Sequence, residues 1–293
     1  MSLAVGSGMS VERLPKSAGL GSVSVHRPEG LSGIELLVER RVPRVELYCT
    51  DFALVIPCAW RGDVLSRRKR RSLEPGRVAC GEPGEMLVTS QVREPGVLKV
   101  LLIAKELIGA ALGRAGQSYP AVGPVAQSIR ISEIFSQRLA HVIAELESSE
   151  ATEALPARIE ALLDSVVLEL FRASASEPRA RHAHEATERV LDHLRAALLR
   201  EESVERAAPD LAALSKQAGL SRFQTLRLFR RHYGVTPHAY QLHFRIALAR
   251  RTLLSGENAA EAAAKHGFAD QSHLTKHFKR LVGITPGQYA RSR

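Results

Sequence analysis

A chain of 293 residues with 45% hydrophobic and 25% charged residues has the composition of a globular protein and room for two domains, each with its own core. No window approaches about 18 uninterrupted apolar residues, and the segment from Met1 to Gly33 lacks a basic stretch leading into a long apolar run, so neither a membrane span nor a signal peptide is expected. The formal net charge is +10, and it is unevenly placed: Met1 to Glu177 holds 21 basic and 21 acidic residues, whereas Asp210 to Arg293 holds 14 basic against 4 acidic. Basic charge confined to one compact region marks a polyanion partner.

Residues 1 to about 30 are rich in Gly, Ser and Pro and are expected to be weakly ordered. From Ile34 to Ala104 short apolar or alternating runs are cut by turn residues such as Glu74-Pro75-Gly76, Glu82-Pro83-Gly84 and Glu94-Pro95-Gly96. The spacing predicts strands at Ile34–Glu39, Val45–Cys49, Phe52–Pro57, Val78–Cys80, Met86–Ser90 and Val97–Ile103, and hence an antiparallel sandwich or barrel over residues 30–115. Cys49, Cys58 and Cys80 show no CxxC spacing, which suits a reducing cytoplasm better than a disulfide scaffold. No His occurs between Arg27 and Ala140, which excludes an imidazole-based metal site in this domain. No metal, cofactor or catalytic residue is therefore expected, and the domain reads as a binding or structural one. Tyr48, Phe52 and Trp60 are the candidates to line an effector cavity, with ordinary core packing the alternative for each. The run Arg67-Arg68-Lys69-Arg70-Arg71 reads most simply as a solvated hairpin, and a phosphate or nucleic-acid role is the lesser reading.

Residues 105–127, rich in Gly, Ala and Pro, read as a transition segment. Two amphipathic stretches follow within 125–173, one through Ile131, Phe135, Leu139, Val142 and Leu146, the other through Leu155, Ile159, Leu162, Val166 and Leu170. Their spacing of three and four residues predicts a helical hairpin whose apolar stripes pack on the β domain or on a second subunit. Residues 174–184, polar and coincident with the change in charge, read as a linker.

The C-terminal part, 185–291, contains the same pattern twice. Phe229, Gly234, Thr236, Pro237 and Tyr240 recur 49 residues later as Phe278, Gly283, Thr285, Pro286 and Tyr289. Such a period means one supersecondary unit used twice. Each unit reads as helix, Gly turn, helix, spanning 210–233 and 259–282, with a long helix at 238–254 between them. In the first, Ser221 caps a helix whose Thr225, Leu228 and Phe229 face inward. Phe223, Leu226 and Arg227 face outward as base-reading candidates, and Arg222, Arg230 and Arg231 as phosphate contacts. In the second, capped by Asp270, Leu274 and Phe278 face inward. Gln271, Ser272, Thr275 and Lys276 are the base-reading candidates, and Lys279 and Arg280 the phosphate contacts.

The stretch Arg245-Ile246…Ala249…Leu253, Gly267-Phe268-Ala269-Asp270-Gln271-Ser272-His273…Phe278-Lys279-Arg280…Gly283-Ile284-Thr285-Pro286…Tyr289 resembles the signature of the AraC/XylS family of bacterial transcriptional regulators, over roughly Ala186 to Arg291. Gly62 to Val78, with Pro83-Gly84-Glu85, resembles the small cupin β-barrel that serves as sensor in that family. The resemblance implies an α+β multidomain protein: a cupin-like barrel with a helical hairpin that dimerises, then an all-α DNA-binding domain with two helix-turn-helix motifs. Its heads would dock in successive major grooves roughly one helical turn, about 10 bp, apart. Leu226 departs from the pattern, since members often carry a polar base-reading residue there. The expected partners are double-stranded DNA, a small-molecule effector, a second copy of the chain and RNA polymerase, with no membrane. The competing readings are a cupin-type enzyme with an appended DNA-binding domain, and an effector-independent DNA binder.

Overall fold

In the computed structural model the described residues are 23–28, 32–42, 46–66, 69–116, 128–148, 152–176, 185–199 and 211–292. The N-terminal half is built from strands β1 (Val23–His26), β2 (Ile34–Val42), β3 (Glu46–Tyr48), β4 (Phe52–Pro57), β5 (Arg61–Ser66), β6 (Lys69–Leu73), β7 (Arg77–Gly81), β8 (Met86–Glu94) and β9 (Gly96–Ile103). Helix α1 (Lys105–Arg114) and strand β10 (Ser128–Arg130) follow, and then the hairpin α2 (Glu133–Ser148) and α3 (Leu155–Ser176). The strands pair antiparallel in two sheets, one ordered β1-β2-β9-β4-β7-β10 and the other β3-β8-β5-β6.

Side-chain alternation along β2 shows how the larger sheet divides its faces. Ile34, Leu36 and Val38 join Phe52, Leu54, Leu101 and Ile103 in a core covered by α1 and by Phe135, Leu139, Leu162 and Val166 of the hairpin. Leu37, Val55, Leu98 and Val100 belong instead to the core shared with Trp60, Val64, Leu73 and Leu87 of the second sheet. The sheets remain open where a closed barrel was expected. One edge of each sheet is shielded by the C-terminal half: α7 (Pro237–Leu254) lies along β3, and Val23 of β1 packs against Gly283, while at the opposite edges β6 approaches β7 and β10. Covering an edge in this way blocks stray strand pairing as effectively as closure.

Several elements escape the sequence reading. Strand β1 falls in the stretch expected to be weakly ordered, yet Val25 is buried and pairs with Leu37. Helix α1 falls in the expected transition segment; Gly109 and Gly113 lower its helical propensity, and burial of Ile108, Ala111 and Leu112 overrides that. The hairpin expected at the basic run is formed by β5 and β6, with Leu65 opposite Arg70, and residues 67 and 68 lie outside the described residues. Strand β10 pairs with β7. Helix α3 runs to Ser176, into the expected linker, and 177–184 lie outside the described residues.

The C-terminal half comprises α4 (Glu185–Leu198), α5 (Leu211–Gln217), α6 (Arg222–Tyr233), α7, α8 (Ala259–Lys265), α9 (Gln271–Val282) and α10 (Pro286–Arg291). The 49-residue repeat is a repeat of structure-determining chemistry. Ser221 and Asp270 each accept a backbone N–H in the next helical turn, from Gln224 and His273. Gly234 (φ 78°) and Gly283 (φ 93°) then end those helices in the left-handed conformation that a side chain would strain. Thr236 and Thr285 cap the next helices, with Pro237 and Pro286 at a first position where no N–H is required. Phe229 and Phe278, and likewise Tyr240 and Tyr289, are fully buried.

Truncating either repeated phenylalanine should therefore cost about the same. Phe229→Ala and Phe278→Ala are each expected to lower unfolding free energy by ~3–5 kcal/mol. Chemical denaturation measures this, and a drop below ~1 kcal/mol at either site would contradict the assignment of these rings to the two cores.

Candidate nucleic-acid interface

Helices α6 and α9 present their polar sides to solvent. On α6, Arg222, Arg227, Arg230 and Arg231 are exposed, and Phe223 is 69% exposed. Leu226 is only half-buried. The Arg227 guanidinium lies 5.6 Å from the centroid of the Phe223 ring, so the pair forms one flat, cationic and apolar surface. On α9, Gln271, Ser272, Lys276, Lys279 and Arg280 are exposed and Thr275 is half-buried. Arg280 donates to His277 Nδ1 at 2.9 Å. Burial, followed by the charges of Arg280, His273 and Lys276, pushes the His277 imidazole down to about 4, so it is a neutral acceptor near pH 7. All twelve side chains expected to meet DNA thus lie on these two helices, and ten of them are exposed.

The two helices are tied by α7. Its buried residues run right round the helix because three bodies pack on it. Tyr240 and Ala247 join Leu214, Phe229 and Tyr233 of the first helix pair, while Ile246, Ala249 and Leu253 join Ala262, Phe268, Leu274 and Phe278 of the second. The third body is the N-terminal β domain, a contact for which the sequence reading had no residues.

That contact uses the same position of both repeats. The Tyr240 hydroxyl donates to Gly84 O at 3.1 Å, and the Tyr289 hydroxyl donates to Glu35 Oε2 at 2.6 Å. Around Glu35 the contact becomes ionic: Arg250 Nη2 donates to Glu35 Oε1 at 2.6 Å and Arg250 Nε to Tyr289 Oη at 3.0 Å. Arg27 reaches Glu35 at 3.3 Å and the carbonyls of Tyr289 and Ser292 at 3.0 and 2.7 Å. Burial alone would raise the Glu35 carboxyl, but the guanidinium groups of Arg250 and Arg27 and the hydrogen bond from Tyr289 outweigh it and hold it below the usual range. Burial keeps the Tyr289 phenol above its ordinary value. Glu39, two residues further along the same strand face than Leu37, is pushed up to about 7 by burial, which Arg250 only partly offsets. Elsewhere on α7, His243 Nε2 lies 3.0 Å from Glu46 Oε2 of β3. The alternation in β2 held a signal for this: Glu35 and Glu39 share the face of Leu37, and an acid on an inward strand position demands a cationic partner.

The three effector candidates do not converge. Tyr48 faces the domain contact, edge-on to Tyr240 and Phe244 with ring centroids 5.4 and 5.3 Å away. Phe52 lies in the core beneath the helical hairpin, and Trp60 in the core between the sheets. The space beside Trp60, bounded by Val55, Val64, Leu73, Leu87, Thr89 and Leu98, amounts to about 10 Å³, room for a single water molecule. Among the described residues no cluster of three or more His, Cys, Asp or Glu side chains could hold a metal ion, and no helix is long and apolar enough to cross a membrane.

Comparison with known proteins agrees with this geometry. The profile of a family described as a helix-turn-helix domain matches residues 214–292. The chain is 25% identical over 232 residues to the thermoregulatory protein LcrF of Yersinia pestis, which covers 74% of this chain and 80% of that one. It is 37% identical over 81 residues to a putative AraC-like transcription regulator of Streptomyces lividans, covering 27% of this chain and 26% of the relative. Among solved structures it is similar to apo ToxT from Vibrio cholerae, with a TM-score of 0.50 at 12% identity over 89% of this chain and 98% of that one, which supports the same two-part fold. Apart from LcrF, the chain spans about a third or less of the length of curated relatives such as LumQ and MtrA. Residues 214–292 are thus similar to the helix-turn-helix domain of AraC-like transcription regulators.

Two carboxylates in the domain contact should respond to pH in opposite senses. Glu35, with its lowered pKa, stabilises the folded chain above the ordinary carboxylate range, and that contribution disappears as pH falls through the lowered value. Glu39, with its raised pKa, contributes most below about 4.5 and less as pH rises through about 7. Glu35→Ala is therefore expected to cost ~3–5 kcal/mol at pH 7, because it strands buried Arg250. Glu39→Gln should stabilise the chain at pH 8 and not at pH 4. Denaturation midpoints across that range measure both, and pH-independent differences would contradict the assignments.

Proposed function

We propose that the chain is a sequence-specific DNA-binding transcriptional regulator in which both helix pairs act as helix-turn-helix heads. The observation that carries this reading is the duplicated, capped helix with an exposed cationic face, set at both ends of one shared helix. Helix α7 has 18 residues, a rise of about 27 Å, which is close to the roughly 34 Å of one DNA turn that separates successive major grooves. On α6, Arg227 is the residue for guanine O6 and N7, with Phe223 and Leu226 against thymine methyls. On α9, Gln271 suits adenine, Ser272 and Thr275 are adaptable, and Lys276 reaches guanine or phosphate. Arg222, Arg230, Arg231, Lys279 and Arg280 position the protein on the backbone.

The N-terminal domain, read as the cupin-like sensor, controls the heads through the contact on α7. A small molecule acts there by binding one arrangement of the two domains better than another. The tight packing around Trp60 favours an effect on the domain contact over a ligand held between the sheets. A second copy of the chain is the other expected partner. Ile134 (63% exposed) and Leu168 (51% exposed) stand near the same end of the antiparallel hairpin α2–α3 and suit that contact. The rival reading, a cupin-type enzyme, finds no support in the filled space between the sheets.

Base-reading and phosphate residues can be separated by affinity. Arg227→Ala should weaken one preferred base pair by ~1–3 kcal/mol and relax selectivity there. Lys279→Ala should weaken all duplexes alike and lower the salt dependence of binding by about one ion. Titration of matched and single-substituted duplexes checks this. Equal weakening on every duplex for Arg227→Ala would contradict its base-reading role.

A further inference from the structure

The basic run in the N-terminal domain remains unexplained by a reader confined to the C-terminal one. We propose that the β5–β6 hairpin is part of the DNA interface, its Arg70 contacting a backbone phosphate beside the site read by the first head. This rests on the reading of α6 as a DNA-reading helix.

The N-terminal segment up to Glu177 is electrically balanced, yet residues 67–71 are basic without interruption. The strand register places one of those charges, Arg70, next to the reader. Leu65 of β5 pairs with Arg70 on one side and with Val88 of β8 on the other. Directly opposed residues in an antiparallel pair point to the same face of the sheet. Val64, one position along, belongs to the core between the sheets, so the row Arg70, Leu65, Val88 lies on the outer face. That face meets the C-terminal end of α6: a Cβ placed on its C-cap, Gly234, would stand 3.1 Å from Val88 and 3.2 Å from Leu65. Arg70 lies one strand further out, about 5 Å beyond Leu65, on the face that abuts the end of α6 carrying Arg230 and Arg231.

Arg70 is exposed. The acids at the other end of the hairpin are matched elsewhere, Asp63 with Arg93 at 2.9 Å and Glu74 and Glu94 with Arg61 at 3.0 and 3.2 Å. Cationic groups from two domains brought to one face repel each other, and a phosphate backbone relieves that repulsion. Charge on an edge strand also blocks stray pairing, but that role needs no polyanion and leaves DNA binding unaffected. The phosphate role does not.

The test is the slope of log affinity against log salt for the full chain on a duplex that wild type binds. Removing one lysine or arginine from a phosphate lowers the magnitude of that slope by about 0.9. The variant Arg70→Gln is expected to lower it by about 0.9, to weaken binding several-fold at low salt, and to leave base preference unchanged. Lys105→Gln, at the start of α1, removes a charge from a different surface and should leave the slope alone. An unchanged slope in Arg70→Gln, with its fold intact by circular dichroism, overturns the proposal, as does an equal effect from Lys105→Gln. Failure of the wild-type chain to bind any duplex would instead refute the reading of α6 and α9 as DNA-reading helices.

Discussion

The arrangement of the molecule depends on one buried ionic contact, Glu35 held by Arg250, Arg27 and the Tyr289 hydroxyl. Each partner comes from a different element: Glu35 from β2, Arg250 from the shared helix α7, Tyr289 from α10, and Arg27 from the segment after β1. A buried ion pair adds little net stability compared with a well-packed apolar substitute, because desolvation consumes most of the attraction. Its directional hydrogen bonds can instead specify one docking register among many apolar ones. The apolar part of the contact, in which Tyr48, Met86 and Val88 meet Tyr240 and Ala247, supplies area without that directionality.

The register so fixed has a consequence for both heads. Tyr240 and Tyr289 occupy equivalent places in the repeat, and each hydroxyl is bonded to the N-terminal domain. The two helix pairs are thus held against one body through equivalent hydroxyls while the cationic faces of α6 and α9 stay open to solvent. Regulation by covering the reading faces does not fit this geometry. Regulation by changing how firmly, or at what angle, the pair of heads is held does fit it, since a ligand need only discriminate between two dockings.

Much of the reader was legible in the sequence because its chemistry is local. Caps at Ser221 and Asp270, left-handed glycines at 234 and 283, and Pro at the first helical position are decided within a few residues. The observed helices α5 and α6, and then α8 and α9, fall within the expected units 210–233 and 259–282. The N-terminal half was less legible. Strand β1 and helix α1 have weak local signals and exist because Val25, Ile108 and Leu112 find apolar surface made by distant residues. The ionic contact was hidden more deeply, since Glu35 and Arg250 lie 215 residues apart and each alone reads as a surface charge. The inward parity of Glu35 on β2 was the available clue. The expected effector residues Tyr48, Phe52 and Trp60 were grouped by type, and residue type does not say that they enter three different clusters.

The two heads share a scaffold but not a surface: the first is Arg-rich with Phe223 beside Arg227, and the second is polar around Gln271 and Lys276. Held by one helix, they should require two unlike half-sites in fixed order. Selection of bound sequences from a random duplex pool with the full chain tests this most directly. The account predicts an asymmetric bipartite motif whose halves are centred about 10 bp apart. A single short motif, or two identical halves at variable spacing, would contradict it.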